Sequence, residues 1–200
     1  MIQHPLPIRP IPYGDESPAS LLIRAAENNG FVSVLQLLSA YRFPSQSDEW
    51  LVASFVDQTR FAKIIHAMGL HTDCISLAYR RTGPTSKSPR EMNGMGLPER
   101  LFRNGANVYC PECLKEQPYW RKGWSILPIT TCNKHGCRLL QDCPLCKQPL
   151  SLTRNRILHC SCGHDLRQGK AEMADPKGTQ WWLSLIAAQN QDALDRMLSF

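Results

Sequence analysis

The sequence predicts a mainly α chain, with a small helical N-terminal half and a cysteine-built C-terminal half of short β-hairpins that ends in a helix. Three observations predict it. Apolar residues recur at helical spacing from Leu21 to Tyr79. Eight of the nine cysteines lie after residue 109, six of them in C-x2-C or C-x-C pairs. The net charge of +6 is uneven: +1 over residues 1–100, +7 over 101–170 and −2 over 171–200.

The 200 residues make one domain or two small ones at ~150 residues per domain. A composition that is 42% hydrophobic and 20% charged is that of a globular chain. The longest near-apolar stretches, Phe31–Tyr41 and Trp181–Ala188, fall short of the ~20 residues that span a bilayer. Met1–Pro12 holds four prolines and has no cationic head before an apolar run, so it does not read as a signal peptide. An odd cysteine count without an export signal argues against a disulfide scaffold and for metal ligation in a reducing compartment.

The elements follow in order. His4–Pro12 alternates proline with apolar residues and reads as an extended arm. Ser17 is a good N-cap and Pro18 suits the first helical position, where its missing N–H costs nothing. Leu21, Leu22, Ala25 and Ala26 form one face, and Gly30 stops the helix. Ser33 caps a second helix that buries Val34, Leu35, Leu37, Leu38 and Tyr41 and ends at Pro44. A third runs from Asp48 through Trp50, Leu51, Phe55 and Val56. A fourth starts near Thr59, carries Phe61, Ile64, Ile65 and Met68, and closes at Gly69. Thr72 caps a fifth with Ile75, Leu77, Ala78 and Tyr79 inside. The last two, joined at Gly69-Leu70-His71, have the outline of a helix-turn-helix. Arg80 to Gly96 reads as a basic loop. The predicted division is therefore residues 1–100 as arm, helical domain and basic linker, 101–140 and 141–170 as two fingers, and 171–200 as the C-terminal helix.

Cys110-Pro111-Glu112-Cys113 is a knuckle: two thiolates at i and i+3 on a tight turn can reach one ion. Structural zinc takes four ligands, and Cys132-Asn133-Lys134-His135 supplies the second pair. Cys143-Pro144-Leu145-Cys146 and Cys160-Ser161-Cys162 repeat the logic across a polar turn, Thr153–Arg156, predicted to be a hairpin. The expected cofactor is Zn2+ in two structural sites: Cys110, Cys113, Cys132 and His135, then Cys143, Cys146, Cys160 and Cys162. Cys137 competes with His135 on softness but not on spacing. His164 is an alternative to Cys162, and His159 packs beside the second site. Cys74 reads as a buried small hydrophobe. With both metals bound, residues 101–170 would carry about +4, a modest field.

Both sites close with four protein ligands, whereas catalytic zinc keeps one position open. No H-x-E with P-C-x-x-C, Walker loop, G-x-S-x-G or H-E-x-x-H occurs, so the sequence reads as a non-enzyme. Tyr119, Trp120, Arg121, Lys122 and Trp124 interleave aromatic and basic residues, which serves either stacking on bases or a mini-core under the metal loops.

These motifs together resemble the TniQ family. The likeness runs from Asp15-Glu16-Ser17, Ser20–Arg24 and Asn28-Asn29-Gly30 to Tyr109–Cys113, Trp120, Trp124, Leu127-Pro128, Cys132, His135-Gly136 and Leu139. It continues in the second knuckle, Cys160–Gly163 and Asp165-Leu166. The resemblance implies a bacterial cytoplasmic adaptor that selects transposon target sites. Its implied partners are the AAA+ ATPase TnsC, a CRISPR effector complex such as Cascade or its guide RNA, target DNA and a second copy of itself. On that reading Arg80, Arg81, Lys87, Arg90, Arg121, Lys122, Arg154 and Arg156 are the candidate nucleic-acid contacts. Two other classes compete with it. One is a stand-alone sequence-specific DNA-binding protein that lays its fifth helix in the major groove. The other is a protein-binding zinc scaffold anchored by Trp181 and Trp182.

Overall fold

The computed structural model describes residues 4–43, 55, 57–85, 87–103 and 108–199. Helix α1 (Pro18–Asn28) begins where expected: Ser17 Oγ accepts the Ser20 N–H at 3.2 Å, and Pro18 follows at the first position. It ends at Gly30, whose φ of +72° suits glycine. Helix α2 (Val34–Ala40) is capped by Ser33. The predicted helix from Asp48 to Val56 lies outside the described residues except for Phe55, which is buried edge-on to Phe61. Helix α3 (Gln58–Ala67) is capped by Asp57 and buries Phe61, Ile64 and Ile65.

The expected fifth helix is instead a 3-10 segment of six residues, Thr72–Leu77. Thr, Asp, Cys, Ile and Ser have low helix propensity, and Ala78 turns out into extended backbone at ψ 152°. A segment this short offers no recognition face to a major groove. The helix-turn-helix outline is corrected on this point.

The basic stretch is not a loop either. Arg80–Arg81 (β1), Arg90–Met92 (β2) and Met95–Leu97 (β3) form an antiparallel sheet in that order. Met92 pairs with Met95 across Asn93-Gly94, both at positive φ (51° and 82°), as a two-residue hairpin turn requires. The cations of this sheet are paired internally. Glu91 holds Arg80, and Glu99 holds both Arg81 and Arg90.

In the cysteine-rich half, helix α4 (Pro111–Glu116) starts on Cys110. The predicted short hairpins reduce to single bridges, Thr131 with Arg138, Asp142 with Pro149 and His159 with Asp165, and the hairpin predicted across Thr153–Arg156 is not formed: among the described residues no bridge spans that turn. The C-terminal helix is two helices, α5 (Lys177–Ala187) and α6 (Gln191–Leu198). The chain breaks at Gln189 (φ 52°), and Asn190 caps the second helix. Gln191 bonds the Gly96 backbone in both directions and docks this pair on the β-hairpin. One hydrophobic cluster runs from Leu6 to Leu194 and includes Cys110, Cys113, Cys132 and Cys143. Among the described residues no helix is long and apolar enough to cross a membrane.

Candidate functional site

Two groups of metal-ligating side chains come together, and they are the two quartets read from the spacing. In the first, His135 Nδ1 lies 3.5, 3.4 and 3.5 Å from the sulfurs of Cys110, Cys113 and Cys132, and the sulfurs of Cys113 and Cys132 are 3.6 Å apart. In the second, Cys143 and Cys162 are 3.7 Å apart, as are Cys146 and Cys160. A tetrahedral zinc with Zn–S ~2.3 Å and Zn–N ~2.0–2.1 Å has edges of about 3.8 Å (S to S) and 3.6 Å (S to N). Both donor sets are therefore consistent with structural zinc.

Local chain geometry explains each position. Pro111 starts α4 so that the Cys113 N–H points at Cys110 Sγ (3.5 Å). The His135 N–H points at Cys132 Sγ in the same way (3.4 Å). These amides offset thiolate charge. The far nitrogen of His135, Nε2, lies 3.2 Å from Glu116 Oε1, and Glu116 also accepts from Lys134 Nζ at 2.5 Å. A carboxylate behind a ligating imidazole fixes its tautomer and turns Nδ1 toward the metal. The bond from Lys134 above all, against the opposing effect of desolvation and helped by His135, keeps Glu116 below the usual carboxylate range. Glu116 is not legible in the sequence as a supporting residue, because its partner lies nineteen positions on.

Cys137 Sγ sits 3.5 Å from Cys110 Sγ but outside the quartet. Its backbone carbonyl accepts from Cys132 N–H and closes the knuckle. His164 does not join the second quartet, and its carbonyl accepts the Cys160 N–H. His159 Nδ1 is buried beside it without a hydrogen-bond partner. Cys74 is fully buried, and that burial pushes its thiol up to about 11.

The N-terminal motif clasps the first metal loop. Glu16, fully buried, accepts from Ser20 Oγ (2.6 Å), Arg24 Nη1 (2.7 Å) and the Tyr13 N–H (3.1 Å). Ser20 Oγ in turn accepts the Trp120 N–H, and the Ser17 N–H reaches the Trp120 carbonyl. Asp15 accepts from Tyr119 Oη at 2.5 Å and from Arg121 at 2.8 Å. Tyr13 stacks on Tyr119 at 4.1 Å. Residues about a hundred apart in sequence are thus held in one polar joint.

A TniQ family model matches residues 7–139. The chain belongs to the TniQ family. No curated protein matches it. The TniQ match covers the clasp and the whole first quartet and stops before Cys143, so the second quartet and the C-terminal helices lie beyond it.

The eight candidate cations divide by environment. Arg90 is buried over the Phe102 ring and bonded to Glu99. Burial alone would raise Glu99, but the bonds from Arg90 and Arg81 outweigh it and hold the carboxyl below its ordinary range. Arg154 is buried, stacked 3.8 Å from the Trp120 ring centroid, and donates to the carbonyls of Ser151, Arg156 and Ile157. Both are internal struts, and their guanidinium groups do not face solvent. Arg81 and Arg121 are half-buried against Glu99 and Asp15. Arg80 is exposed but paired with Glu91. Lys122 is half-buried, and burial lowers it to about 8. Lys87 and Arg156 are exposed. Trp120 and Trp124 are core, 1% and 6% exposed, so neither is free to stack on a base.

Arg103 carries no signal in the sequence, yet the fold gives it a central place. It is half-buried and donates to the carbonyls of Trp124, Ile126, Leu127 and Ile129, binding the metal-loop strap together. Replacing Arg154 with alanine is expected to cost about 2–4 kcal/mol, from a desolvated cation–π contact and carbonyls left without donors. Urea unfolding of the zinc-loaded chain checks this. A decrease under about 0.5 kcal/mol, the ordinary range for a surface substitution, would return Arg154 to the surface cations.

Proposed function

We propose that this TniQ family member is a non-enzymatic adaptor for target-site selection in transposition. It would connect a targeting complex to the AAA+ ATPase TnsC. Family membership over two-thirds of the chain carries this reading. The geometry supports it: each donor set closes with four protein ligands, so zinc would build a rigid surface and leave no open position for a substrate. Which complex it serves, an RNA-guided CRISPR effector with its guide RNA or a fixed DNA site, and whether it acts as a dimer, belong to the same proposal. A bacterial cytoplasmic setting goes with it.

The internal pairing of most candidate cations supports weak, sequence-blind nucleic-acid contact over direct base reading. Footprinting the zinc-loaded chain alone on DNA with a natural insertion site tests this. Diffuse, salt-labile protection is expected; a defined footprint would favour the attachment-site DNA-binding reading. Lys87→Glu with Arg156→Glu is expected to flatten the salt dependence. On B-DNA each phosphate that the protein ceases to neutralise lowers the slope by about 0.9. An unchanged slope would remove both residues from the interface.

A further inference from the structure

A small cavity of about 200 Å3 opens beside the second metal loop. Arg154, Asn155, Arg156, His159 and Ser161 line it, next to the metal ligand Cys160. Among the described residues no carboxylate and no hydrocarbon side chain lines it. Arg156 and Ser161 are exposed at its mouth, and Arg154 and Cys160 are buried at its floor. The volume falls below the ~300–1,000 Å3 of pockets that enclose a drug-sized ligand and suits a single small polar group.

Arg156 differs from most of the other candidate cations. Among the described residues no carboxylate pairs with it, whereas Arg80, Arg81, Arg90 and Arg121 are each held by Glu91, Glu99 or Asp15. Two acids bond to the chain on either side, Glu27 to the Ile157 N–H at 3.0 Å and Asp165 to Arg167, and neither lines the cavity. His159 Nδ1 is buried, and among the described residues it has no hydrogen-bond partner. An anion entering here meets a guanidinium fork, an unpartnered ring nitrogen and a hydroxyl.

The metal site limits the charge of that anion. Four thiolates around one Zn2+ sum to −2, and Cys160 is one of the four. Arg154 donates to the carbonyls of Ser151, Arg156 and Ile157, so it offsets the thiolates from the floor and is not needed as a donor to the ligand. A phosphomonoester brings a charge of about −1.5 to −2 next to that cluster. A phosphodiester brings one charge and presents two free oxygens, which a planar guanidinium matches in bidentate fashion.

We propose that this cavity seats one internal phosphodiester of a nucleic-acid strand. Its two free oxygens lie on the Arg156 guanidinium, with His159 as its Nδ1–H tautomer and the Ser161 hydroxyl as further donors. The inference rests on the nucleic-acid contact proposed above and deepens it. There Arg156 acts through its charge alone; here its fork closes a built seat that also uses Ser161 and His159. Backbone phosphates position a protein on a strand without reading its sequence, in keeping with sequence-blind contact.

The first measurement is the fluorescence anisotropy of labelled octathymidylate on the full zinc-loaded chain over a range of salt. Arg156→Lys keeps the charge and loses the fork. It should bind about tenfold more weakly, the worth of one hydrogen bond to a charged group, with its salt slope unchanged. Ser161→Asp sets a carboxylate at the mouth and leaves Arg156 in place, and it should weaken binding as much. Both side chains are exposed, so both variants should keep two zinc ions and the wild-type melting temperature. The second measurement is an NMR titration of the same chain with dimethyl phosphate and with phenyl phosphate. Dimethyl phosphate should shift the Arg156 Nε–H and Ser161 amide signals saturably, and phenyl phosphate should do so only at higher concentration. Wild-type affinity in Arg156→Lys or in Ser161→Asp would return Arg156 to the ordinary surface cations and overturn the seat, as would no shift with dimethyl phosphate. Phenyl phosphate acting at equal or lower concentration would also overturn it, and would assign the cavity to phosphomonoesters. Neither measurement involves the ATPase or a targeting complex, so the adaptor reading and the seat can fail separately.

Discussion

Cys113→Ser is expected to abolish cooperative folding of the C-terminal half, whereas Cys162→Ser removes one metal and leaves the rest folded. The difference follows from burial. Cys110, Cys113 and Cys132 are each 2% exposed or less and belong to the same hydrophobic cluster as Leu114, Trp120 and Ile129. In the second quartet Cys143 and Cys160 are buried, but Cys146 is half-buried and Cys162 is exposed at the rim, so less of that site is built into the core. A structural zinc contributes an apparent ~10–16 kcal/mol in model peptides, comparable with the ~5–15 kcal/mol that separates a folded domain from its unfolded state. Losing the first metal therefore removes the ion and leaves buried thiols unpaired inside the core. Atomic emission should read two zinc ions per wild-type chain and one in Cys162→Ser, with the main thermal transition kept but lowered. In Cys113→Ser the transition should vanish. Cys137→Ser is the control. Its sulfur touches Cys110 but lies outside the quartet, so both metals should stay. One zinc in Cys137→Ser, or two in a normally melting Cys113→Ser, would move the fourth ligand to Cys137.

The parts of this molecule legible in the sequence are those whose physics is local. Ser17, Pro18 and Gly30 bracket α1 because caps act over three or four residues. The cysteine pairs announce themselves because ligands two or three residues apart on a tight turn can reach one ion. Strands of two or three residues are too short for alternation to show, so Arg80–Leu97 reads as a loop. Asn93-Gly94 is the signal that could have found the hairpin. The arginines mislead for a different reason. In one dimension a guanidinium is a surface cation. Arg90, Arg103 and Arg154 are buried or half-buried because Glu99 or a ring of carbonyls satisfies their fixed fork of donors, and those acceptors are set only by the fold. The clasp is half legible. Its motif carries the family resemblance, while its partner segment, Tyr119–Lys122, stands out in the sequence only as an aromatic and basic cluster.

That clasp makes the second large prediction. Glu16→Ala is expected to lower stability by about 3–5 kcal/mol, because it breaks a buried ion pair and leaves the other charge uncompensated. For a chain of this size that corresponds to a fall of roughly 6–20 °C in melting temperature. The Arg24 side chain is 15% exposed, and it would keep only the Ile11 carbonyl and the Tyr13 ring. Ser20 Oγ and the Tyr13 N–H would lose their acceptor. A second experiment separates the worth of the pair from the penalty of breaking it. Glu16→Leu with Arg24→Met removes both charges and keeps the volume, and buried pairs replaced in this way are often no less stable than before. The double variant is therefore expected to melt well above Glu16→Ala. If both melt together, the loss lies in the neutral bonds to Ser20 and Tyr13 and not in the stranded charge. If Glu16→Ala melts as wild type, the polar joint between α1 and the first metal loop carries no weight. The family motif would then need an explanation outside the fold, at a surface that meets a partner. The expected result places it inside. Asp15, Glu16 and Ser17 hold the Trp120 backbone and Arg121 against α1, so the metal-built half keeps a fixed orientation on the helices.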